Sequence, residues 1–178
     1  MLCRADVEKE TILITGASGG VGSAAIQLAK IRGATIIAQC SPDKASFLKD
    51  LGADQTVNRS DNLVKVLGKN SVDVVFDLVG GSSWPQLLDI IKPGGKYVTS
   101  GAIAGPIVDL DLRSLYLKDL TLYGSTVNDP FVFENVIRYI EEGQIKPLVA
   151  QSFPLKEIHK AQKVFMEKKF IGKIVLIP

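Results

Sequence analysis

Short apolar runs alternate along the chain with segments whose apolar residues recur at helical spacing. Near-continuous apolar and β-branched runs, typical of strands covered on both faces of a parallel sheet, lie at 11–15, 35–39, 72–76 and 96–99. Helical i, i+3, i+4, i+7 spacing begins at Val21, Trp84 and Phe133. Each of these helices is expected to lay one apolar stripe on the sheet.

Two weaker strands, 55–58 and 120–123, complete an alternation of strands and helices. Right-handed crossovers then predict an α/β Rossmann fold: a doubly wound, six-stranded parallel sheet in the order 3-2-1-4-5-6 with helices on both faces. Beyond Asp129 the pattern predicts a helix, a loop around Pro147 and Pro154, a helix over 155–168 and a last strand over 173–177. One domain over 1–178 is expected, with a C-terminal return segment at about 145–178.

Composition excludes several classes of partner and site. The net charge is only +2, and no run of five basic residues offers a nucleic-acid footprint. No apolar run approaches the roughly 20 residues that cross a bilayer, and residues 1–10 are too charged for a signal peptide. Cys3 and Cys40 are too few for a disulfide framework or a closed metal site. The sequence therefore predicts a cytoplasmic protein without a membrane span or a metal.

Four glycines fall within residues 16–22, directly after the first predicted strand and at the start of the first helix. A dinucleotide fold places its phosphate-binding turn at this point. Gly19 would let the backbone approach a pyrophosphate, and Gly22 would let helix and strand pack closely. A tight turn alone needs fewer glycines, so the cluster favours a phosphate site at the helix N-terminus.

The end of the second strand bears on the choice between NAD and NADP. An NAD site usually has Asp or Glu there, roughly 20 residues beyond the glycines. Here Gln39 and Cys40 end the strand, and Ser41 and Lys44 follow one turn apart, which favours a 2′-phosphate and therefore NADPH. Ser41 before a proline is also a good helix cap, and Asp43 suits a first helical turn, although a local shift would make it a ribose ligand.

Several segments resemble the medium-chain dehydrogenase/reductase family, and within it the zinc-independent quinone oxidoreductase branch. They cover nearly the whole chain in the family's order and are specific for its cofactor-binding domain. The segments are ILITGASGGVG at 12–22, IQLAK at 26–30, LGAD at 51–54, FDLVGG at 76–81, KPGGKYV at 92–98 and GKIVLIP at 172–178.

The resemblance implies cofactor contacts along the chain. The diphosphate would lie on Gly19, Gly20, Val21 and Gly22, the 2′-phosphate on Ser41 and Lys44, the adenosine near Val79 and Gly80, and the nicotinamide near Gly101, Ala102 and Ile103. Arg59 stands where relatives often have Tyr and would add a second cation, and Lys173 matches a basic position near the diphosphate. Plain solvent exposure is the alternative for both cations.

The activity that the resemblance implies is hydride transfer from NADPH to a quinone, an enone or a related activated alkene or carbonyl. The cofactor carries that chemistry and few catalytic side chains are required, so the catalytic residues stay unassigned. Family members begin with a GroES-like domain that supplies most of the substrate pocket, whereas this chain starts shortly before the first strand. That domain is expected to be absent and the isolated chain inactive. His159 is expected to be a surface or packing residue rather than a zinc ligand.

Three other interpretations are weighed against this one. A non-catalytic nucleotide-binding module or NADPH sensor is left open. The KPGG turn at 92–95 also suits a SAM-dependent methyltransferase, although such enzymes resemble one another in having an acid at the end of the second strand. Short-chain dehydrogenases need Tyr-x-x-x-Lys, which none of the four tyrosines begins.

The predicted edge strand 120–123 bears on assembly. An unpaired strand edge invites pairing, and in the resembled family this strand joins two subunits, which predicts a homodimer. The alternative is an edge protected by Lys118 and Asp119.

Overall fold

Six parallel strands form the main sheet in the order 3-2-1-4-5-6, which confirms the predicted Rossmann topology. The computed structural model describes residues 1–178. The strands are β1 (Thr11–Ile14), β2 (Thr35–Cys40), β3 (Gln55–Asn58), β4 (Val72–Asp77), β5 (Ile91–Thr99) and β6 (Thr121–Gly124). All carboxyl ends therefore meet at one edge of the sheet, where open α/β folds bind their ligands.

Helices cover both faces of this sheet. They are α1 (Gly20–Ile31), α2 (Ala45–Asp50), α3 (Leu63–Leu67), α4 (Trp84–Ile90), α5 (Leu112–Tyr116), α6 (Pro130–Glu141) and α7 (Ile158–Glu167). Because side chains alternate across a strand, Ile12 and Ile14 pack in the core that holds Ile26 of α1, while Leu13 packs in the core that holds Leu87 of α4. The two cores fix both helix layers. None of these helices combines the length and the apolar character that a membrane-spanning helix needs.

Two predicted helix faces differ from the observed ones. The stripe predicted to begin at Val21 is displaced by one position, since Gly22, Ala25, Ile26 and Ala29 are buried and Val21 is about half exposed. Glycine at position 22 lets this face approach the end of β1. The stripe predicted from Phe133 is not buried against the sheet, because no residue of α6 is fully buried and Phe133 itself is exposed. Spacing predicted an amphipathic helix but not what lies against it.

The C-terminal segment contains a strand where a loop was predicted. β7 (Val149–Pro154) pairs in parallel with β8 (Lys173–Ile177) in a separate two-stranded sheet. β7 has no apolar run, and its order comes from β8, which is distant in sequence. The predicted helix over 155–168 is a 3-10 turn at Leu155–Glu157 followed by α7. The segment comes back to the carboxyl end of β1 at Gly172, which forms an isolated parallel β-bridge with Gly19 in the turn after that strand.

Candidate functional site

The glycine turn, residues 16–22, joins β1 to α1 by close backbone contacts. Gly16 has a positive φ of 58°, and its carbonyl accepts a hydrogen bond from the Gly19 N–H at 3.0 Å. A Cβ on Gly22 would lie 2.5 Å from the Gly16 oxygen and 2.6 Å from Ala17 Cα, so only glycine permits this packing. A Cβ on Gly19 would approach only the Gly16 oxygen, at 3.4 Å. Gly22 thus closes the turn, while Gly19 leaves its outer side bare.

The N-terminus of α1 is open to an anion. Gly19 provides no side-chain cap, and the first turn of the helix carries no acidic residue. The first N–H groups of a helix lack intrahelical partners, and the helix dipole adds a partial positive charge there. The bare backbone and the uncapped N–H groups together fit a phosphate group of a dinucleotide.

Lys173 lies directly over this helix N-terminus. The Gly172 N–H donates to the Ser18 carbonyl at 3.1 Å, which holds β8 against the glycine turn. A Cβ on Gly20 would lie 1.9 Å from Lys173 Cε and 2.7 Å from its Nζ, so the side chain runs across the space above Gly20. The structure therefore brings Lys173 to the residues predicted to bind the diphosphate.

The turns after β4 and β5 lie against each other beside the glycine turn. The Val79 carbonyl accepts from the Ala104 N–H at 2.8 Å, and the Gly105 carbonyl accepts from the Gly81 N–H at 3.1 Å. A Cβ on Gly80 would meet the Gly105 oxygen at 2.8 Å. Val79 also neighbours Gly16, whose added Cβ would lie 3.1 Å from Val79 Cγ2.

The predicted adenosine and nicotinamide positions belong to these two turns. Gly101 packs on Leu78, and Ala102 on Gly80. Ile103 is 76% exposed. The turn after β5 therefore lies at the carboxyl edge of the sheet and presents an apolar side chain to solvent.

A buried carboxylate that the predicted site did not include organises the end of β4. Asp77 is fully buried and accepts from Thr15 Oγ1 at 2.6 Å and from the Tyr97 hydroxyl at 2.5 Å. The Val79 and Gly80 N–H groups donate to it at 2.9 and 3.1 Å. Asp77 thereby shapes the turn next to the glycine turn. An acid at the carboxyl end of a mostly apolar strand, three residues before a pair of glycines, is the sequence signal that points to such a role.

The Tyr97 hydroxyl is held neutral in this network. Burial raises the pKa of Tyr97 above its usual value of 10, and the hydrogen bond to Asp77 raises it further. The folded protein therefore binds the phenolic proton more tightly than the unfolded chain does. The resulting stabilisation is complete below about pH 10 and is lost as the pH rises above that value.

Tyr97→Phe is expected to make stability less sensitive to alkaline pH. Above about pH 10 the unfolding free energy of the unsubstituted protein should fall by up to about 1.4 kcal/mol per pH unit more than that of the variant. Urea unfolding of both proteins between pH 8 and 11.5 measures this difference. Parallel curves for the two proteins above pH 10 would contradict the assignment of the shift to Tyr97.

The end of β2 carries a hydroxyl, a carboxylate and two cations. Ser41 hydrogen-bonds the Asp43 carboxylate, which lowers the pKa of Asp43, and the charges of Lys44 and Arg59 lower it further. Arg59 is exposed and follows β3, which pairs with β2. Gln39 and Cys40 leave the strand end itself without an acid, as predicted, but Asp43 stands on the first turn beyond it.

Lys44, which is predicted to bind the 2′-phosphate, is largely buried and contacts the C-terminal segment. It is only 9% exposed. Its ammonium donates to the carbonyls of Lys168 at 2.7 Å and Phe170 at 2.9 Å. These acceptors lie in the C-terminal segment, which sequence spacing does not relate to β2. One of the three ammonium donors has no assigned partner.

The chain offers no cluster for a metal ion. No group of three or more His, Cys, Asp or Glu side chains lies close enough together to hold one. Cys3 is exposed, Cys40 is buried, and His159 is exposed on α7. These residues therefore provide no fitting ligand set for zinc.

Known proteins resemble the chain over nearly its whole length. An acryloyl-coenzyme A reductase of Metallosphaera sedula is 32% identical over 171 residues, covering 95% of this chain and 51% of that protein. A quinone oxidoreductase of Pseudomonas aeruginosa is 32% identical over 185 residues, covering 95% of this chain and 57% of that protein. The chain thus spans about half the length of these curated relatives.

Solved structures agree with the sequence comparison. A Sinorhizobium meliloti protein proposed to be an alcohol dehydrogenase superposes with a TM-score of 0.94 at 50% identity, covering 100% of this chain and 51% of that one. Escherichia coli quinone oxidoreductase complexed with NADPH superposes with a TM-score of 0.85 at 31% identity, covering 96% of this chain and 58% of that one. The family model described as zinc-binding dehydrogenase matches residues 20–142. The chain therefore belongs to the medium-chain dehydrogenase/reductase family, in which it corresponds to the cofactor-binding domain.

Proposed function

We propose that the chain binds NADPH and forms the cofactor-binding part of an oxidoreductase that reduces a quinone, an enone or a related activated alkene or carbonyl. The observation that carries the proposal is the meeting of the bare glycine turn, the uncapped N-terminus of α1 and Lys173. The relatives named as a quinone oxidoreductase and an acryloyl-coenzyme A reductase support the reaction class. The NADPH complex of the E. coli enzyme supports a nicotinamide cofactor.

The bound cofactor would supply the hydride, and the residues of this chain would hold and orient it. The N–H groups at residues 20–22 and the Lys173 ammonium would neutralise the diphosphate, and the bare backbone of Gly19 would let it approach. The turn after β4 would border the adenosine, and Gly101, Ala102 and Ile103 would border the nicotinamide. The proposal therefore assigns binding and orientation, not proton transfer, to this chain.

The preference for NADPH over NADH is the finer part of the proposal. Ser41, Lys44 and Arg59 supply one hydroxyl and two cations near the end of β2, which suits a 2′-phosphate. The exposed Asp43 carboxylate is the feature that favours NADH instead, because it would accept from ribose hydroxyls and repel a phosphate. Calorimetric titration of the chain with each nucleotide compares the two affinities, and tighter binding of NADH would overturn this preference.

Lys173→Met is expected to weaken NADPH and NADH binding alike, by about tenfold, because both nucleotides carry the diphosphate. Lys163→Met is the matched control, since Lys163 is an exposed lysine on α7 outside the proposed site. Calorimetry of both variants with both nucleotides measures the effect. Unchanged affinities in Lys173→Met would show that this ammonium does not touch the diphosphate.

The exposure of the predicted nicotinamide position bears on whether this chain alone can oxidise NADPH. Ile103 at that position is largely exposed, so nothing in the chain encloses a substrate there. We expect NADPH to bind without being oxidised when quinones or enones are added, as followed by its absorbance. Rapid oxidation would show that these residues already form a complete active site. A non-catalytic module or sensor remains the second candidate, and binding without turnover is the result that it also predicts.

We also propose a homodimer formed through the free edge of β6. This strand pairs only with β5, so its outer edge has no partner within the chain. Lys118 does not shield that edge, because its ammonium donates to the Leu88 carbonyl at 2.8 Å and the Asp89 carbonyl at 3.2 Å. Sedimentation equilibrium tests the proposal, and a monomer at all concentrations would contradict it.

A further inference from the structure

A short turn after α7, residues 168–170, forms the other half of the Lys44 contact. Lys168 has a left-handed backbone with φ 58° and ends α7. Its ammonium lies 3.6 Å from the centroid of the Phe165 ring, and the Phe165 and Phe170 rings are 5.9 Å apart. These side-chain contacts flank the turn, whose course is set by the left-handed backbone at Lys168. Its two carbonyls at positions 168 and 170 point at the same ammonium.

We infer that the 168–170 turn is a positioning element that orients the Lys44 ammonium for the cofactor's 2′-phosphate. The inference rests on the proposed function, in which Lys44 contacts that phosphate. A lysine ammonium has three donors on a flexible stem. Two fixed acceptors, at 2.7 and 2.9 Å, leave one donor and fix the ammonium of a residue whose backbone lies on the same 3-10 turn that begins after Ser41.

The burial of Lys44 supports a fixed rather than a mobile cation. At 9% exposure, the side chain has little freedom to adopt another rotamer. Withdrawing it would leave the carbonyls of Lys168 and Phe170 without this donor. Binding to an ammonium that is already oriented costs less side-chain entropy than binding to a free lysine. The turn thus raises selectivity without touching the nucleotide.

The same segment serves both phosphate-bearing ends of the proposed site. Gly172 donates to Ser18, and Lys173 crosses Gly20 at the diphosphate end. Residues 168–170 hold Lys44 at the ribose end. The choice between NADPH and NADH is therefore set partly by the C-terminal segment and not by the β2 end alone.

A pair of substitutions at Lys168 isolates the geometry of the turn. Lys168→Gly removes the side chain but accepts a positive φ, whereas Lys168→Val removes the same charge and disfavours that backbone. We expect Lys168→Gly to keep the NADPH to NADH affinity ratio. Lys168→Val is expected to lower the ratio by about tenfold, as Lys44→Met would, because the oriented charged donor is lost in both.

Calorimetric titration with NADPH and NADH tests the positioning role. It compares the unsubstituted chain with Lys168→Gly, Lys168→Val and Lys44→Met. Equal ratios in Lys168→Gly and Lys168→Val, or an unchanged ratio in Lys44→Met, would overturn the positioning role while leaving nucleotide binding intact. Failure of the unsubstituted chain to bind either nucleotide would instead overturn the proposed function, and the inference with it.

A second measurement uses the unsubstituted protein and therefore does not depend on whether a variant folds. In the ¹⁵N-labelled protein, the Lys44 ammonium signal should move on adding NADPH and stay in place on adding NADH. Equal movement with both nucleotides would contradict a specific contact with the 2′-phosphate.

Discussion

Replacing Asp77 with alanine is expected to lower the free energy of unfolding by at least about 3 kcal/mol. The carboxylate is fully buried and accepts from two hydroxyls and two backbone N–H groups. Alanine would leave Thr15, Tyr97 and the N–H groups of Val79 and Gly80 without this acceptor. Each buried donor left unsatisfied costs about 1–3 kcal/mol, and relaxation of the turn would recover only part of the sum.

Asp73→Ala on the same strand is the matched control. Asp73 pairs with Lys92 at 2.8 Å and accepts from the Thr11 N–H at 2.9 Å, but its side chain is 32% exposed, so water can replace these contacts. Its loss is expected to cost only about 1 kcal/mol. Urea unfolding compares the two variants. Equal destabilisation would show that the buried network at Asp77 contributes no more to the free energy of unfolding than the partly exposed contacts of Asp73.

Substitutions at neighbouring glycines should separate packing from binding. Gly22→Ala places a methyl group 2.5 Å from the Gly16 oxygen and 2.6 Å from Ala17 Cα, both backbone atoms that cannot rotate away. We expect a loss of about 1–3 kcal/mol in stability. The nucleotide affinity is expected to fall by at least about tenfold, because the turn must open to admit the methyl group.

Gly20→Ala should affect binding alone. The nearest atoms to the added methyl group belong to the flexible end of Lys173, which can swing aside. Stability is therefore expected to stay the same within about 0.5 kcal/mol. Nucleotide affinity should still fall, because the methyl group occupies the bare side of the turn and displaces the ammonium. Thermal unfolding and calorimetry compare the two variants. If Gly22→Ala is as stable as Gly20→Ala, the packing role of Gly22 is contradicted.

The sequence predicted the sheet because its strands are near-continuous apolar runs separated by helical spacing. It did not predict β7, whose residues lack an apolar run and gain order by pairing with β8. The exposed face of α6 shows the converse case, in which correct periodicity does not say what covers a helix. Local pattern therefore predicted the elements that bury their own side chains, and failed where long-range pairing decides the structure.

The candidate site divides in the same way. The glycine turn was predictable from local spacing, because the chemistry of close backbone approach requires glycine at fixed positions. Lys173 came from the family resemblance alone, and the structure brings it to the glycine turn because Gly172 docks β8 there. The contact of Lys44 with the 168–170 carbonyls joins residues far apart in sequence through backbone acceptors, which carry no residue-type signal.

The central claim is that a nicotinamide dinucleotide binds at the carboxyl edge of the sheet, with its diphosphate on residues 19–22. Backbone amide chemical shifts of the ¹⁵N-labelled chain, followed during NADPH titration, test this most directly. We predict that the largest shifts occur at Gly19, Gly20, Val21 and Gly22, with further shifts at Ser41 and Gly101. If the amide chemical shifts of residues 19–22 stay unchanged at saturating NADPH, the claim is contradicted.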